Sequence, residues 1–247
     1  VSETTPSVTP AALDERLRAS DPMVVLDVRN RDEFERWHVE GPAVEAIQAS
    51  HAKFIAADVT GDVADHARSV GLDPEERVVV VCGHGEASGE VARMLVYAGF
   101  DAANLAGGMD AWADLYVASE ATAPGAEPTV VQYRRPSSGC LSYLVVSGDE
   151  AAVVDPLRAF AGRYAVDATD QGADLVAAVD THVHADHVSG LPTLAREGVE
   201  AVVPAGAAER GLDLPVETRR LSPDESVAIG ATALSPHPLP GHTSEMT

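Results

Sequence analysis

Asp180-Thr181-His182-Val183-His184-Ala185-Asp186-His187-Val188-Ser189-Gly190 follows the apolar run Leu175-Val176-Ala177-Ala178-Val179 without a break. An aliphatic run of this length reads as a buried strand, expected over residues 174–180. Side chains two apart on an extended backbone point the same way, so His182 and His184 can aim at one point. Asp186 and His187 follow as the chain turns, with a helix expected from residue 187, and can face a second point close by. Imidazoles and a carboxylate gathered this tightly suit zinc, iron or manganese rather than calcium. A lone histidine would read as a surface residue, but three histidines and an aspartate within six residues read as metal ligands. His242, in Pro240-Gly241-His242-Thr243, is a further candidate ligand, because its glycine lets backbone and metal approach closely. His237, in Ser-Pro-His-Pro, reads as a loop residue without a ligand role.

Upstream of this motif the pattern is strand-rich. Residues 129–135, 140–146 and 151–155 read as strands in quick succession, and the Ser/Gly/Asp turns between them favour hairpins. A helix is expected near residues 157–168. Residues 117–128, Val-Ala-Ser-Glu-Ala-Thr-Ala-Pro-Gly-Ala-Glu-Pro, have linker composition, which divides the chain into domains at 1–116 and 129–247.

The first domain alternates helix and strand. Thr9-Pro10 before Ala-Ala-Leu-Asp-Glu-Arg-Leu is a helix start, with a cap residue and a proline in the first turn. Residues 23–28 and Val78-Val79-Val80-Val81 read as buried strands of a parallel sheet covered on both faces. The second of these runs into Cys82-Gly83-His84-Gly85-Glu86-Ala87-Ser88. Val91, Met94, Leu95 and Ala98 then mark a helix, which Gly99 closes. A thiol between a strand end and a helix N-terminus has backbone N–H groups aimed at it. That setting lowers a thiol pKa and can cradle an anion or a persulfide. Cys82 is therefore the candidate nucleophile, with Gly83, His84, Gly85, Glu86, Ala87 and Ser88 as its loop. Cys140 reads as a strand cysteine with no redox role.

Two resemblances follow from these residues. Leu26-Asp27-Val28-Arg29, Asp32-Glu33-Phe34, Trp37-His38-Val39-Glu40-Gly41 and Asn104-Leu105-Ala106-Gly107-Gly108-Met109-Asp110-Ala111-Trp112 resemble the rhodanese signature over most of residues 8–116. That resemblance implies a sulfurtransferase in which Cys82 carries sulfane sulfur. Rhodanese loops that use thiosulfate usually carry arginines; here only His84 is basic, and Glu86 would repel a thiosulfate dianion. Asp27 and Arg29 read as a structural pair.

Thr181-His182-x-His184-Ala185-Asp186-His187-x-Ser189-Gly190, Ser138-Gly139-Cys140-Leu141-Ser142-Tyr143-Leu144 and Val153-Val154-Asp155-Pro156 are similar to the persulfide dioxygenase and glyoxalase II-like branch of the metallo-β-lactamase superfamily. The implied fold class is α/β: a rhodanese-like parallel sheet with flanking helices, then the first half of an αββα metallo-β-lactamase fold. In dinuclear hydrolases of the superfamily, residues placed like His182, His184 and His242 hold one metal, and those placed like Asp186 and His187 help hold the second. In the mononuclear iron dioxygenases, the positions of His182 and His242 bind iron with a later aspartate. The resemblance places that aspartate, and a final histidine, in a second half of the fold past Thr247, so an incomplete domain is expected.

The implied activity is metal-dependent oxidation of a low-molecular-weight thiol persulfide to sulfite, coupled to sulfane-sulfur transfer by the first domain. Fe(II) is the first expectation for the metal and Zn(II) the alternative. A zinc-dependent thioester hydrolase of glyoxalase II type, or a non-catalytic sulfur-binding module, are the competing readings.

Composition bounds the partners. The 247 residues carry 39 Asp plus Glu against 17 Lys plus Arg, a formal net charge of −22, and Lys53 is the only lysine. Such an acidic chain repels nucleic acid and anionic membranes. A small thiol or persulfide is the expected partner, with homo-oligomerisation left open. The carboxylates are spread along the whole chain rather than blocked in a tail, which points to a halophilic protein. At about 1 M salt the Debye length falls to roughly 3 Å and their repulsion is screened. With no apolar run of membrane-spanning length and no leader-like start, the expected address is the cytoplasm.

Overall fold

The computed structural model describes residues 5–185 and 187–247. The chain divides into two compact units: one takes residues up to Leu115 together with Arg135–Ser138, the other Tyr116–Arg134 and Gly139–Thr247.

The first unit is a five-stranded parallel sheet of β1 (Ser7–Val8), β2 (Met23–Asp27), β3 (Val44–Gln48), β4 (Arg77–Val81) and β5 (Asp101–Leu105), in the order β1-β5-β4-β2-β3. Helices α1 (Pro10–Ala19), α2 (Arg31–Arg36), α3 (His51–Thr60), α4 (Val63–Ser69), α5 (Glu86–Tyr97) and α6 (Gly108–Asp114) connect the strands. The uninterrupted apolar runs make physical sense here, because both faces of the sheet are buried. Val24, Leu26, Val78 and Val80 enter one core with Phe54 and Leu95, while Val25, Val79 and Val81 enter another with Leu13 and Trp112. Helix α1 starts as its sequence suggests: Pro10 opens the first turn and the Thr9 hydroxyl accepts from Ala12 N at 3.2 Å. The Asp27 carboxylate, fully buried, is gripped by Arg29 through Nε at 3.0 Å and Nη2 at 2.6 Å.

The second unit is built on a seven-stranded mixed sheet. Strands β6 (Val117–Glu120), β7 (Thr129–Arg134), β8 (Leu141–Ser147) and β9 (Glu150–Val154) pair antiparallel. Beyond β9, strands β10 (Asp174–Val179), β11 (Glu200–Pro204) and β12 (Arg219–Leu221) continue in parallel. Helices α7 (Ala161–Asp170) and α8 (Leu191–Arg196) supply Tyr164, Ala168, Leu191 and Leu194 to one face, against Leu144, Val153 and Ala178. The other face packs Val145, Val179 and Val202 against Val227 and Ile229 of a hairpin formed by β13 (Val227–Ile229) and β14 (Thr232–Leu234). The α/β class and the antiparallel start of this sheet agree with the sequence.

Two expectations are corrected. The expected linker is partly strand: β6 pairs with β7 from Val117↔Arg134 to Glu120↔Val131, leaving only residues 121–128 irregular. Main-chain pairing needs no apolar side chains, so the polar Ser119 and Glu120 hid it. The helix expected from His187 begins at Leu191 instead. Arg158 N donates to Val188 O at 3.0 Å, Gly190 N donates to Pro156 O at 2.6 Å, and Ser189 bridges Leu157, so these bonds hold the intervening residues out of a helix. Among the described residues no helix is long and apolar enough to cross a membrane.

Candidate functional site

Strands β9 and β10 run side by side and end together, with Val154 opposite Val179. Their carboxyl ends are where an open parallel arrangement leaves a crevice for chemistry. Asp155 leaves β9 with φ +50°, a left-handed conformation costing a non-glycine residue about 1–2 kcal/mol. Its amide donates to Val179 O at 2.7 Å, which turns the carboxylate towards the histidine loop. That carboxylate accepts from Thr181 N at 2.7 Å, Thr181 Oγ1 at 2.8 Å and His184 Nε2 at 3.0 Å. Thr181 Oγ1 also lies 2.9 Å from His182 Nδ1.

Four histidine rings lie close to one another, with His187 against His184. Ring centroids are 4.0 Å apart for His182 and His184, 3.8 Å for His184 and His187, and 5.2 Å for His182 and His242. Asp186 lies outside the described residues. His237 is exposed in a loop. Donor atoms of Asp155, His182 and His184 all lie within 4.8 Å of one another. Ligands of one tetrahedral ion stand about 3.3 Å apart when their bonds are near 2.0 Å, so a small convergence would bring these three to a common ion. Two imidazoles and a carboxylate are also the right donor chemistry for iron or zinc, and the residues fit such a metal.

The segment carrying His242 is tied to the same loop. Glu245 Oε1 accepts from Val183 N at 3.0 Å, and Thr247 N donates to Thr181 O at 3.1 Å. Burial acts to raise the Asp155 pKa, but the hydrogen bonds from His184 and Thr181 outweigh it and hold the carboxyl below its ordinary value. Asp180 goes the other way. Burial pushes it up to about 7 against the opposing influence of Ser189 and His184, and the neighbouring Asp155 charge adds to the rise.

Asp155 and Glu245 do not stand out as site residues in the sequence. An apolar run ending in an acid before proline is the available signal for Asp155. Nothing local marks Glu245, which reaches the loop across 62 residues.

The thiol loop lies at the carboxyl end of β4. Cys82 is buried at 7% exposure, and its Sγ accepts from Gly85 N at 3.1 Å and from Ser88 Oγ at 3.0 Å. Burial acts to raise its pKa. The Ser88 hydroxyl and the backbone N–H groups of Ser88, Gly85 and His84 outweigh that and hold the thiol below its ordinary value. Gly85 must be glycine: its φ is +95°, and a Cβ there would meet Gly107 N at 2.8 Å. The loop is fixed from outside by Met109 N donating to Cys82 O at 2.8 Å and Asp110 N donating to Gly83 O at 3.0 Å. His84, the one basic side chain, is exposed and pairs with Asp110 at 2.7 Å, while Glu86 opens α5 and Ala87 packs on the core. With Glu86 and Asp110 both present, the loop offers no net positive charge to a dianion. Cys140 is buried in the core just ahead of β8, and neither cysteine is in a disulfide.

The fold and the site define a two-part class: residues 9–115 match the rhodanese-like domain family, and residues 136–245 match the metallo-beta-lactamase superfamily. The chain therefore joins a rhodanese-like domain to a metallo-beta-lactamase domain. Among curated proteins, it is 36% identical over 103 residues to the hydroxyacylglutathione hydrolase of Parasynechococcus marenigrum, covering 41% of this chain and 40% of that protein. It is 31% identical over 129 residues to the mitochondrial persulfide dioxygenase of Mus musculus, covering 51% and 48%. The chain thus spans less than half the length of either relative. Among solved structures, a metallo-beta-lactamase from Staphylococcus aureus aligns at a TM-score of 0.44 with 25% identity, covering 47% of this chain and 36% of that one.

Proposed function

We propose that this chain serves sulfur metabolism: its second unit oxidises a low-molecular-weight thiol persulfide to sulfite with O₂, and its first unit passes sulfane sulfur to or from that pathway on Cys82. The observation that carries this reading is the Cys82 sulfur held by two hydrogen-bond donors, in a chain whose histidine-bearing domain is related to a persulfide dioxygenase. In this reading Gly85 N–H and the Ser88 hydroxyl stabilise the Cys82 thiolate that takes up sulfur. Glu86 and Asp110 disfavour thiosulfate, so the donor is a persulfide. His182 and His242 hold the metal, with His184 and His187 beside them, and Asp155 keeps the His184 ring in register. Bound there, Fe(II) would supply open coordination positions for the oxidant and the sulfur substrate. The overall reaction balances as RSSH + O₂ + H₂O giving RSH, sulfite and two protons.

A second reading is favoured by the 36% identity to a hydroxyacylglutathione hydrolase: a zinc-dependent thioester hydrolase, in which the same residues would present a metal-activated water. The protein loaded with Fe(II) or with Zn(II) separates the two. Given glutathione persulfide, the iron form should consume O₂ and release sulfite, and His182→Ala should abolish both. Cleavage of a glutathione thioester by the zinc form, without O₂ uptake from persulfide by the iron form, would replace the first reading with the second. Failure of both reactions, with sulfur still accumulating on Cys82, would leave a sulfur-binding module.

A further inference from the structure

Behind the histidine loop, on the helix-covered face of the second unit, three buried hydroxyls meet. Ser142 and Tyr164 are fully buried and Tyr116 is 6% exposed. Leu157 N donates to Tyr164 Oη at 3.0 Å, the Tyr164 and Tyr116 hydroxyls are 2.7 Å apart, Tyr116 donates to Ser142 Oγ at 2.8 Å, and Ser142 donates to Asp155 O at 2.6 Å. Counting protons fixes the direction. Ser142 directs its proton to Asp155 O and Tyr116 directs its own to Ser142, so Tyr164 donates to Tyr116, with Ser142 Oγ at 3.2 Å as its weaker second acceptor. The chain of bonds leaves residue 157 by its N–H and returns to residue 155 by its carbonyl. It closes over Asp155-Pro156-Leu157, whose middle residue has no N–H of its own. Bonds that all point the same way strengthen one another.

We propose that Ser142, Tyr116 and Tyr164 are positioning residues for the metal centre: their hydroxyl ring clamps the Asp155–Leu157 turn in its left-handed form and so sets the angle at which Asp155 holds Thr181 and His184. The inference rests on the metal-site reading above and extends it to residues that touch neither substrate nor metal. Burial raises the pKa of all three tyrosines in this core, Tyr116, Tyr133 and Tyr164, so the ring keeps its protons throughout the working pH range. Tyr133 is not a member, because its hydroxyl donates instead to Asp167 Oδ2 at 2.7 Å.

The ring can be tested without the metal. Amide exchange is measured residue by residue on metal-free wild type, Ser142→Ala, Tyr164→Phe and, as a control outside the ring, Tyr143→Phe. The Thr181 amide, which donates to Asp155, should exchange roughly tenfold faster or more in the first two variants. The β8–β9 ladder amides should stay within about twofold of wild type, and the control should match wild type throughout. In a second arm Co(II) is titrated against each protein; Ser142→Ala and Tyr164→Phe should weaken binding about tenfold and shift the visible spectrum. Unchanged Thr181 exchange, or a rise shared equally by the β8–β9 ladder, would overturn the clamp. Faster Thr181 exchange with unaltered Co(II) affinity would overturn its role at the metal. A wild type that takes up no Co(II) would overturn the role at the metal, while the exchange arm still decides whether the clamp exists. Should one variant not fold, the other decides the question alone.

Discussion

Removing the Ser88 hydroxyl should make Cys82 a markedly poorer thiolate. Ser88 is fully buried and its Oγ sits 3.0 Å from Cys82 Sγ, so Ser88→Ala deletes a hydrogen bond to a charged acceptor while adding no bulk. Hydrogen bonds to charged groups contribute about 1.5–3 kcal/mol. At about 1.4 kcal/mol per decade, the thiol–thiolate equilibrium of Cys82 should move roughly tenfold to a hundredfold towards the thiol. The lower end is expected, because the Gly85 N–H still points at the sulfur. The assay is iodoacetamide alkylation of Cys82 followed by site-resolved mass spectrometry from pH 6 to 10.5, which separates it from Cys140. Improved access in the smaller variant would raise its rate at every pH, so each rate is divided by its own alkaline plateau. The sign on stability follows from the same bond. The folded thiol titrates below its ordinary value of 9.0, so its contribution is fully present above that value and is lost as pH falls through the folded pKa. Ser88→Ala should therefore lose stability chiefly at alkaline pH. A normalised rate profile whose midpoint coincides with that of wild type would refute the assignment of the low thiol pKa to Ser88.

Two more expectations can be checked on the same protein. Arg29→Ala leaves the fully buried Asp27 carboxylate, among the described residues, with the residue 29 backbone N–H at 3.0 Å, and should cost about 3 kcal/mol in urea unfolding. A cost under about 1 kcal/mol would mean that the pair is not holding the loop. With a net charge of −22, the melting temperature should climb as KCl rises from millimolar to molar, and a flat or falling curve would remove the argument for a high-salt origin.

The parts legible in the sequence were those with local periodicity or tight spacing. Val78-Val79-Val80-Val81 could only be a strand buried on both sides, and the histidine spacing brought His182, His184 and His187 together because the geometry is set within six residues. The hidden parts depend on pairing between distant segments. Strand β1 is two residues long and exists through its register with Asn104 and Leu105, which no local pattern announces. Asp155 reaches the site because β9 lies beside β10, and Glu245 because a later segment folds back over the loop. The helix expected from His187 failed for the same reason: main-chain bonds to residues 156–158 outweighed local preference.

Strand β6 also bears on how the two domains can be separated or recombined. Residues 117–128 look like the natural place to cut, and a fragment starting at Thr129 would keep every candidate metal ligand. It would also strip β6 and the Ala121 N to Val130 O bond from β7. Left bare would be main-chain groups along Val130-Val131-Gln132-Tyr133-Arg134, a β-prone edge with one charge in five residues. Unprotected edges of that kind recruit other chains, and short polar strands are among the devices that cover them. β6 thus shields that edge, and a fragment cut before Tyr116, inside what composition alone assigns to the first domain, would keep the shield in place.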